Sequence, residues 1–218
     1  FQFDSYSVQM ITKMFSATLR GIDAVEVEVE VNARGADKPQ VIIVGLPDAE
    51  VRESKDRVRA ALNHARFEFP QRRITVNLAP ADLPKEGSHY DLPITLAVLA
   101  ALGIIPQDFL NRYVAMGELA LDGALMAISG VLPAAIGANA RDMGLICPKL
   151  SGPEAAWAAE DADILAPENL IQLINHVRGT QVLTRPKPAV AMETEGLPDL
   201  KDIKGQETGK RALEVAAA

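Results

Sequence analysis

Two stretches in the first half of the chain are apolar at every second residue, which is the pattern of a strand with one buried face. From residue 25 to 31, valines alternate with glutamates. From residue 73 to 78, isoleucine, valine and leucine alternate with polar residues. A shorter alternation at residues 15–19 predicts a first strand. Residues 40–46 are apolar almost throughout, which predicts a buried central strand.

Two helices are predicted on either side of a long loop. The first covers about residues 49–66 and follows Asp48, whose side chain suits the N-cap position. The second, residues 91–103, is apolar nearly all round, so we expect it to be buried on most faces, with Asp91 as its N-cap. The loop between strand and helix, residues 79–90, is called the central loop below. A polar loop of this length indicates a functional role.

The last third of the chain alternates short strands with helices. Residues 113–118 predict a strand, and the Asp122-Gly123 pair after it predicts a hairpin turn. The following segments predict a helix at 131–143, a strand at 145–147, a helix at 152–160, a strand at 163–165 and a helix at 168–177. Such alternation is typical of parallel strands joined by helical crossovers. The predicted fold class is therefore α/β, with several helices on a mixed sheet.

Changes in composition divide the chain into four parts. Residues 1–14 lack periodicity and are assigned to a leader outside the fold. Residues 15–183 contain the predicted strands and helices and form one domain. Residues 184–198 are rich in proline and predict a linker. Residues 199–218 begin a new helical pattern, which we expect to be the truncated start of a second module.

Composition limits the class of protein. The chain has 218 residues, of which 48% are hydrophobic and 23% charged, as in an ordinary globular protein. The single cysteine, Cys147, excludes an internal disulfide and indicates a reducing compartment. The net charge of −7 argues against a domain-wide field that attracts nucleic acid, although a local basic patch is compatible with it. No apolar run has the length of a membrane span. We therefore expect a cytoplasmic protein without a membrane partner.

The residue types that carry chemistry are scattered along the chain. His64, His89 and His176 have no cysteine or carboxylate at metal-ligand spacing, so no metal site is predicted. Ser88 and His89 lie next to Asp91, but the members of a catalytic triad usually come from different elements. The sequence has no GxxxxGK[ST] phosphate loop, so the chain is not expected to cradle a nucleoside triphosphate in that way.

Six cations form a candidate nucleic-acid surface, called the basic stripe below. Basic residues recur beside the apolar face of the first predicted helix, and two arginines open the next strand. The basic stripe consists of Arg52, Lys55, Arg59, Arg66, Arg72 and Arg73. A stripe of this kind can contact phosphates. A solvated helix face, partly neutralised by Glu53 and Asp56, explains the same residues, and the sequence leaves both interpretations open.

Three motifs, taken in order, resemble one protein family. They are VGLPDAEVRESKDRVRAAL at residues 44–62, NLAPADLPKEGSHYDLPI at 77–94 and MGELALDGAL at 116–125. They resemble the N-terminal domain of the ComM/YifB proteins, which are bacterial magnesium-chelatase-like AAA+ ATPases associated with competence and DNA processing. The resemblance covers about residues 15–218. It implies a fold shared with the Lon protease proteolytic domain and with ribosomal protein S5 domain 2.

The Lon resemblance also implies where catalytic residues would lie. In Lon-type proteases a glycine-proline-serine-alanine-glycine motif before the buried helix holds the nucleophile, and its lysine partner follows a glycine-glycine-leucine motif in a later helix. When Gly87 is laid on the first motif, His89 takes the serine position. When Ser129-Gly130-Val131 is laid on the second, Leu132 takes the lysine position. Leucine cannot activate a nucleophile, so the resemblance implies a domain without catalytic residues.

The tail resembles the approach to an AAA+ module. Residues 210–218 resemble the helix that leads to the Walker A strand, and the preceding residues resemble the short motif beside the adenine in such ATPases: Asp202, Ile203, Lys204, Gly205 and Gln206. The phosphate loop, Walker B acid and arginine finger of such a module would lie beyond Ala218. The resemblance therefore implies ATP and magnesium as cofactors of the intact parent and none in this chain.

Three hypotheses follow. In the first, the chain is a non-catalytic domain of a hexameric ATP-driven motor and contacts DNA or neighbouring subunits. In the second, it is an active Lon-like serine peptidase with an unusual dyad. In the third, it is an assembly scaffold that contacts only neighbouring subunits. Leu132 argues against the second hypothesis, whereas the sequence barely separates the first from the third.

Overall fold

A computed structural model of the chain describes residues 10–35, 38, 40–67, 69, 72–189 and 199–217. Within these ranges the strands are β1 (Met10–Arg20), β2 (Asp23–Gly35), β3 (Gln40–Val44), β4 (Arg72–Ala79), β5 (Tyr113–Ala115), β6 (Glu118–Leu119), β7 (Leu125–Met126), β8 (Gly144–Ile146) and β9 (Ile164–Leu165). The helices are α1 (Ala49–His64), α2 (Asp91–Ala101), α3 (Gln107–Leu110), α4 (Val131–Asn139), α5 (Gly152–Ala155), α6 (Leu170–Val177) and α7 (Glu207–Ala217).

Seven strands form one mixed sheet in the order β3-β4-β2-β1-β5-β8-β9. β2 is antiparallel to both of its neighbours, and the other four pairs are parallel. The crossover from β3 through α1 to β4 joins one parallel pair, and β8 and β9 extend the other side of the sheet, as the alternating last third predicts. The predicted fold class is confirmed: the chain is an α/β protein with several helices on a mixed sheet.

Strand β1 begins earlier than its hydrophobic pattern predicts. Residues 10–14, which the sequence assigns to a leader, belong to β1 and pair with β2 along their whole length. The side chain of Met14 is fully buried, and the Thr12 hydroxyl donates to the Ala97 carbonyl at 2.7 Å. A buried threonine interrupts the apolar alternation, so the pattern concealed the start of this strand. Residues 1–9, the rest of the predicted leader, lie outside the described residues.

Strand β3 is an edge strand, so the prediction of a buried central strand is wrong. Val41 and Ile43 pack against the hydrophobic core, whereas Ile42 is half-buried and Val44 is 41% exposed. Successive side chains of a strand point to opposite faces. The apolar run therefore fills the core on one face only, and its other residues lie on a face that none of the described helices covers.

The two faces of the sheet are covered unequally. On one face α1, α2 and α6 pack against valines, isoleucines and leucines of the strands. On the other, alanines of α4 and α5 pack against β1, β5 and β8, and Ala17, Ala134 and Ala138 belong to the same cluster. This second cluster includes no described residue of β3 or β4. The part that the described helices leave uncovered is called the open face, and it is lined by Ile11, Glu30, Asn32, Arg34, Arg73, Thr75 and Asn77.

The predicted hairpin forms a small sheet of its own. β5 joins the main sheet, whereas β6 and β7 pair with each other beside it. Gly123 lies at the tip with a φ of 81°, in the left-handed region that glycine adopts readily. Ala124 donates its backbone N–H to the Asp122 carboxylate at 3.0 Å, which fixes the turn.

Residues 184–189, predicted as linker, lie against the segment that follows α5. The Arg185 guanidinium donates to the Ala162 carbonyl at 2.9 Å and to the Ala159 carbonyl at 2.5 Å. This part of the predicted linker has no regular secondary structure, and its Arg185 satisfies several backbone acceptors of the domain. Residues 190–198 lie outside the described residues.

Candidate functional site

The central loop is attached to the start of α1 through Asp48. One Asp48 carboxylate oxygen accepts the Val51 N–H at 2.7 Å and caps the helix, as predicted, while the other accepts the Gly87 N–H at 3.1 Å. The Lys85 backbone donates to the Leu46 carbonyl at 3.2 Å and accepts the Asp48 N–H at 3.0 Å. One carboxylate therefore fixes both the helix and the loop beside it.

Lys85 is a buried cation that the sequence analysis missed. Its side chain has no exposed surface, and its ammonium group donates to the Pro80 carbonyl at the start of the same loop. Burial lowers the pKa of Lys85 below its ordinary value of 10.5. The loop therefore closes around this lysine. A lysine between proline and glutamate in a polar loop gives no local signal of burial.

Asp91 does not cap α2, although its position predicts an N-cap. Its buried carboxylate binds Arg57 of α1 through two hydrogen bonds, 2.6 Å from Nε to Oδ2 and 3.1 Å from Nη2 to Oδ1. Oδ2 also accepts the Leu119 N–H at 3.1 Å. Burial raises the pKa of Asp91, and the Arg57 hydrogen bonds act against that rise. This pair ties α1, α2 and β6 together, and the sequence analysis did not anticipate it.

Ser88, His89 and Asp91 do not form a triad. The Ser88 hydroxyl donates to Glu118 Oε2 at 2.5 Å. The His89 ring lies with Nε2 3.0 Å from the Ala17 carbonyl, and burial lowers the pKa of His89. Asp91 is engaged by Arg57. Each member therefore has a different partner, and no proton relay connects them.

Both motifs that the Lon resemblance singles out have a residue against the same end of β1. His89 contacts Ala17, and Gly130, just before α4, lies against Leu19, because a Cβ atom on Gly130 would be 2.4 Å from Leu19 Cδ1. Gly130 has a φ of 84°, and Leu132 follows it in the first turn of α4, where it is half-buried. An imidazole bound to a carbonyl and an aliphatic side chain provide no activated nucleophile.

The structure separates the basic stripe into two parts. Arg52, Lys55 and Arg59 are exposed on one side of α1, and Arg66 is exposed just after its end. The Arg59 guanidinium lies 5.0 Å from the centre of the Phe69 ring, a cation–π contact. Within the described residues, none of the six cations of the stripe forms an ion pair.

Arg72 and Arg73 point to opposite faces of the sheet. Both are exposed at the start of β4. The Arg73 side chain lies on the open face with those of Thr75 and Asn77. Arg72 precedes the buried Ile74 by two residues on the same strand, so its side chain is on the face that α1 covers. The predicted stripe therefore continues around the edge of the sheet and is not confined to one surface.

The tail contains the predicted adenine-side motif in an exposed segment. Asp202 ends a short 3₁₀ turn capped by Asp199, and residues 203–206 connect that turn to α7. No side chain of residues 199–217 is buried. Ala218, the end of the predicted helix, lies outside the described residues. These residues alone form no enclosed nucleotide site in the structure.

The described residues show neither a membrane-spanning helix nor a metal site. None of their helices is both long and apolar enough to span a membrane. No group of three or more histidine, cysteine, aspartate and glutamate side chains there is arranged to hold a metal ion. The free Cys147 is buried, and burial raises its pKa to about 12.

Comparisons with known proteins indicate the same family as the three sequence motifs. Residues 27–151, more than half of the chain, match the family described as subunit ChlI of Mg-chelatase. YifB of Escherichia coli strain K12 is 40% identical over 199 residues, which are 91% of this chain and 39% of that protein. Competence protein ComM of Haemophilus influenzae is 39% identical over 210 residues, 94% of this chain and 41% of that protein.

A protein of Mycobacterium bovis is 38% identical over 208 residues, 94% of this chain and 41% of that protein. The chain thus spans about two fifths of the length of these relatives. The matched region includes α1, the central loop, the Asp91–Arg57 pair and the start of α4. The chain belongs to the magnesium-chelatase subunit ChlI family and is a magnesium-chelatase-like protein of the ComM/YifB type.

Proposed function

We propose that this chain is the non-catalytic N-terminal domain of a cytoplasmic magnesium-chelatase-like AAA+ ATPase, and that it engages DNA for a hexameric ATP-driven motor. The DNA contacts go to phosphates and have no sequence preference. The name of the Haemophilus influenzae relative, competence protein, supports a role of the parent in competence and DNA processing.

The observation that carries this proposal is the exposed cationic side of α1. Arg52, Lys55 and Arg59 project from it. The alternative interpretation, a solvated helix face, requires Glu53 or Asp56 to neutralise these cations. Glu53 instead lies 3.6 Å from Arg57, whose main partner is the buried Asp91. Asp56 forms no ion pair within the described residues. The positive charge of the stripe is therefore left for an anionic partner.

The geometry does not favour the peptidase hypothesis. Leu132 cannot accept or donate a proton, and the Ser88 hydroxyl is bound to Glu118. We expect no turnover of unfolded casein by the pure chain. Casein cleavage that a Ser88→Ala substitution abolishes would contradict this, whereas cleavage that survives the substitution would come from a contaminating protease.

ATP and magnesium belong to the intact parent in this proposal. The exposed residues 202–206 do not enclose a nucleotide, and the sequence offers no phosphate loop. Most nucleotide affinity in such modules comes from backbone N–H groups and a lysine around the phosphates. We therefore expect no appreciable ATPase activity from the 218-residue chain.

The test of DNA engagement is the affinity of charge-reversal variants for a labelled 20-base-pair duplex, measured by fluorescence anisotropy at low salt. The Arg52→Glu, Arg59→Glu double variant removes two cations of the stripe. The matched control is Arg178→Glu with Lys187→Glu, which makes the same change of net charge at two exposed cations outside the stripe.

We expect the stripe variant to bind at least about tenfold more weakly than the control variant, because local phosphate contacts outweigh the change in net charge. Equal losses in the two variants would show that only net charge matters. Wild-type chain without detectable binding at low salt would favour the scaffold hypothesis.

A further inference from the structure

The outer edge of β3 is the longer of the two free edges of the main sheet. β3 ends the order of the seven strands, so within the described residues no strand pairs with the side that faces away from β4. The opposite edge strand, β9, has only two residues, and Pro167 follows it closely. β3 has five residues. The N–H and C=O groups along its outer side can therefore pair with a further strand.

β3 lacks the features that usually prevent such pairing. Its sequence, QVIIV, has four β-branched residues after a glutamine, and it contains no charged residue and no proline. Its register with β4 is unbroken from Gln40 to Val44, so no bulge twists the edge away. Edge strands of native proteins are usually protected by a lysine, a proline or a bulge. An edge without any of them indicates a partner strand.

Apolar side chains are exposed where this edge ends. Val44 is 41% exposed and Leu46 is 56% exposed. Leu46 has a φ of 56°, in the left-handed region that leucine rarely adopts, and its carbonyl accepts the Lys85 N–H at 3.2 Å. Such a conformation persists only where the surrounding structure maintains it. The fold therefore keeps an apolar side chain in solvent beside the end of β3, where a partner would cover it.

The charges that flank the edge differ between its two ends. At the start of β3, Lys38 is exposed, and the exposed Arg73 pairs with the first residue of the strand. Beyond its end, Glu50 is exposed in the first turn of α1, and Glu86 is exposed next to the residue that pairs with Pro47. A second copy placed antiparallel would bring each cationic end against an acidic end. A parallel copy would bring like charges together.

We propose that β3 pairs with β3 of a second copy, antiparallel and about a two-fold axis at Ile42, so that two seven-stranded sheets become one continuous sheet. In this register Ile42 lies opposite Ile42 of the second copy, and Gln40 lies opposite Val44. Cross-strand pairs of β-branched residues stabilise a sheet, and no like charges are opposed within the five residues. The pairing goes beyond the DNA engagement proposed above. It is isologous, so it differs from the head-to-tail contacts that close a ring.

Sedimentation velocity of the 218-residue chain over a range of concentrations tests the pairing. Ile42→Lys places two ammonium groups opposite each other at the two-fold axis. The matched control is Ile22→Lys, the same change at a residue that is 88% exposed in the turn between β1 and β2. We expect wild type and Ile22→Lys to shift from monomer to dimer as concentration rises, and Ile42→Lys to stay monomeric. A wild type that stays monomeric, species larger than a dimer, or equal dimerisation of Ile42→Lys would overturn the proposal.

Disulfide cross-linking tests the register without a charge in the strand, since the single native cysteine, Cys147, is buried. Directly opposed residues have Cα atoms about 5 Å apart, within the range of a disulfide. After air oxidation we expect a covalent dimer of Ile42→Cys on a non-reducing gel. Val44→Cys alone should give none, because its two thiols would lie about 13 Å apart along the strands. An equimolar mixture of Gln40→Cys and Val44→Cys should cross-link. Cross-linking of Val44→Cys alone, or none of Ile42→Cys, would overturn the proposal.

Discussion

The polar groups around the central loop and the cations of α1 lie on neighbouring parts of one structure but have opposite relations to their surroundings. Around the loop, the groups of Asp48, Lys85 and Asp91 are each bound by another part of the chain. On α1, Arg52 and Lys55 are exposed and form no ion pair within the described residues. The first set is buried or partly buried, and the second projects into solvent.

This difference indicates different roles. A buried charge must be compensated within the fold, because leaving it unpaired is strongly destabilising. An exposed cation has no such requirement, so its position is free to suit an external partner. The loop network therefore maintains the shape of the domain, and the α1 surface is available for binding. Substitutions in the first set should change the free energy of unfolding, whereas those in the second should change affinity.

The largest expected loss of stability comes from Asp91→Ala. The substitution leaves Arg57, which is 19% exposed, without its partner and removes the acceptor of the Leu119 N–H. We expect the free energy of unfolding in urea to fall by about 3–5 kcal/mol. The control is Arg52→Ala on the exposed side of α1, which should change it by less than about 0.5 kcal/mol. Similarly small effects of the two substitutions would contradict the role of Asp91 in maintaining the fold.

A smaller loss is expected from Lys85→Ala, which leaves a cavity where the aliphatic part of a fully buried side chain lay. The expected loss is about 2–4 kcal/mol. Lys85→Met keeps most of the volume without the charge and should stay within about 1 kcal/mol of wild type. A Lys85→Met variant as unstable as Lys85→Ala would show that the ammonium group, and not its packing, holds the loop.

Wild type and the Lys85→Met variant should also differ in how their stability depends on pH. Because burial lowers the pKa of Lys85 in the folded chain below 10.5, the unfolded chain binds more protons between the lowered pKa and 10.5. Wild type should therefore gain stability relative to Lys85→Met as pH rises through that interval. Urea unfolding at several pH values up to 10.5 measures the difference, and a constant difference would contradict the burial of a charged Lys85.

The smallest of these effects is expected from Arg185→Ala. It removes hydrogen bonds to the Ala159 and Ala162 carbonyls and frees residues 184–189, of which Ala189 also accepts the Trp157 indole N–H at 3.2 Å. We expect a loss of about 1–2 kcal/mol and faster amide hydrogen exchange confined to residues 180–189. Lys187→Ala serves as the control. Unchanged exchange would mean that Arg185 does not hold the segment.

The features that the sequence predicted correctly depend on neighbours along the chain. The alternation of β2, the Asp48 cap of α1 and the burial of all of α2 are properties of single elements, and the structure confirms each of them. The parallel pairing of β8 and β9 also follows from the local alternation of helix and strand. Periodicity and capping residues carry this information within one turn or a few residues.

The features that the sequence missed depend on distant parts of the chain. Asp91 has the correct residue type for an N-cap, but Arg57, 34 residues away, binds its carboxylate instead. Arg73 follows Arg72 directly, yet the pleat of β4 places the two on opposite faces and brings Arg73 next to Arg34. Such pairings are set by strand register and helix packing, which a local pattern does not specify.

The salt dependence of duplex binding tests the central claim, that the cations of α1 are exposed in order to contact phosphates. The logarithm of the association constant is measured against the logarithm of salt concentration for wild type, for Arg52→Ala with Arg59→Ala, and for the control Arg178→Ala with Lys187→Ala. Each lost phosphate contact should make the slope shallower by about 0.9. We predict that the Arg52, Arg59 variant has a slope shallower by about 1.8 and that the control keeps the wild-type slope. Identical slopes for all three proteins would contradict the claim.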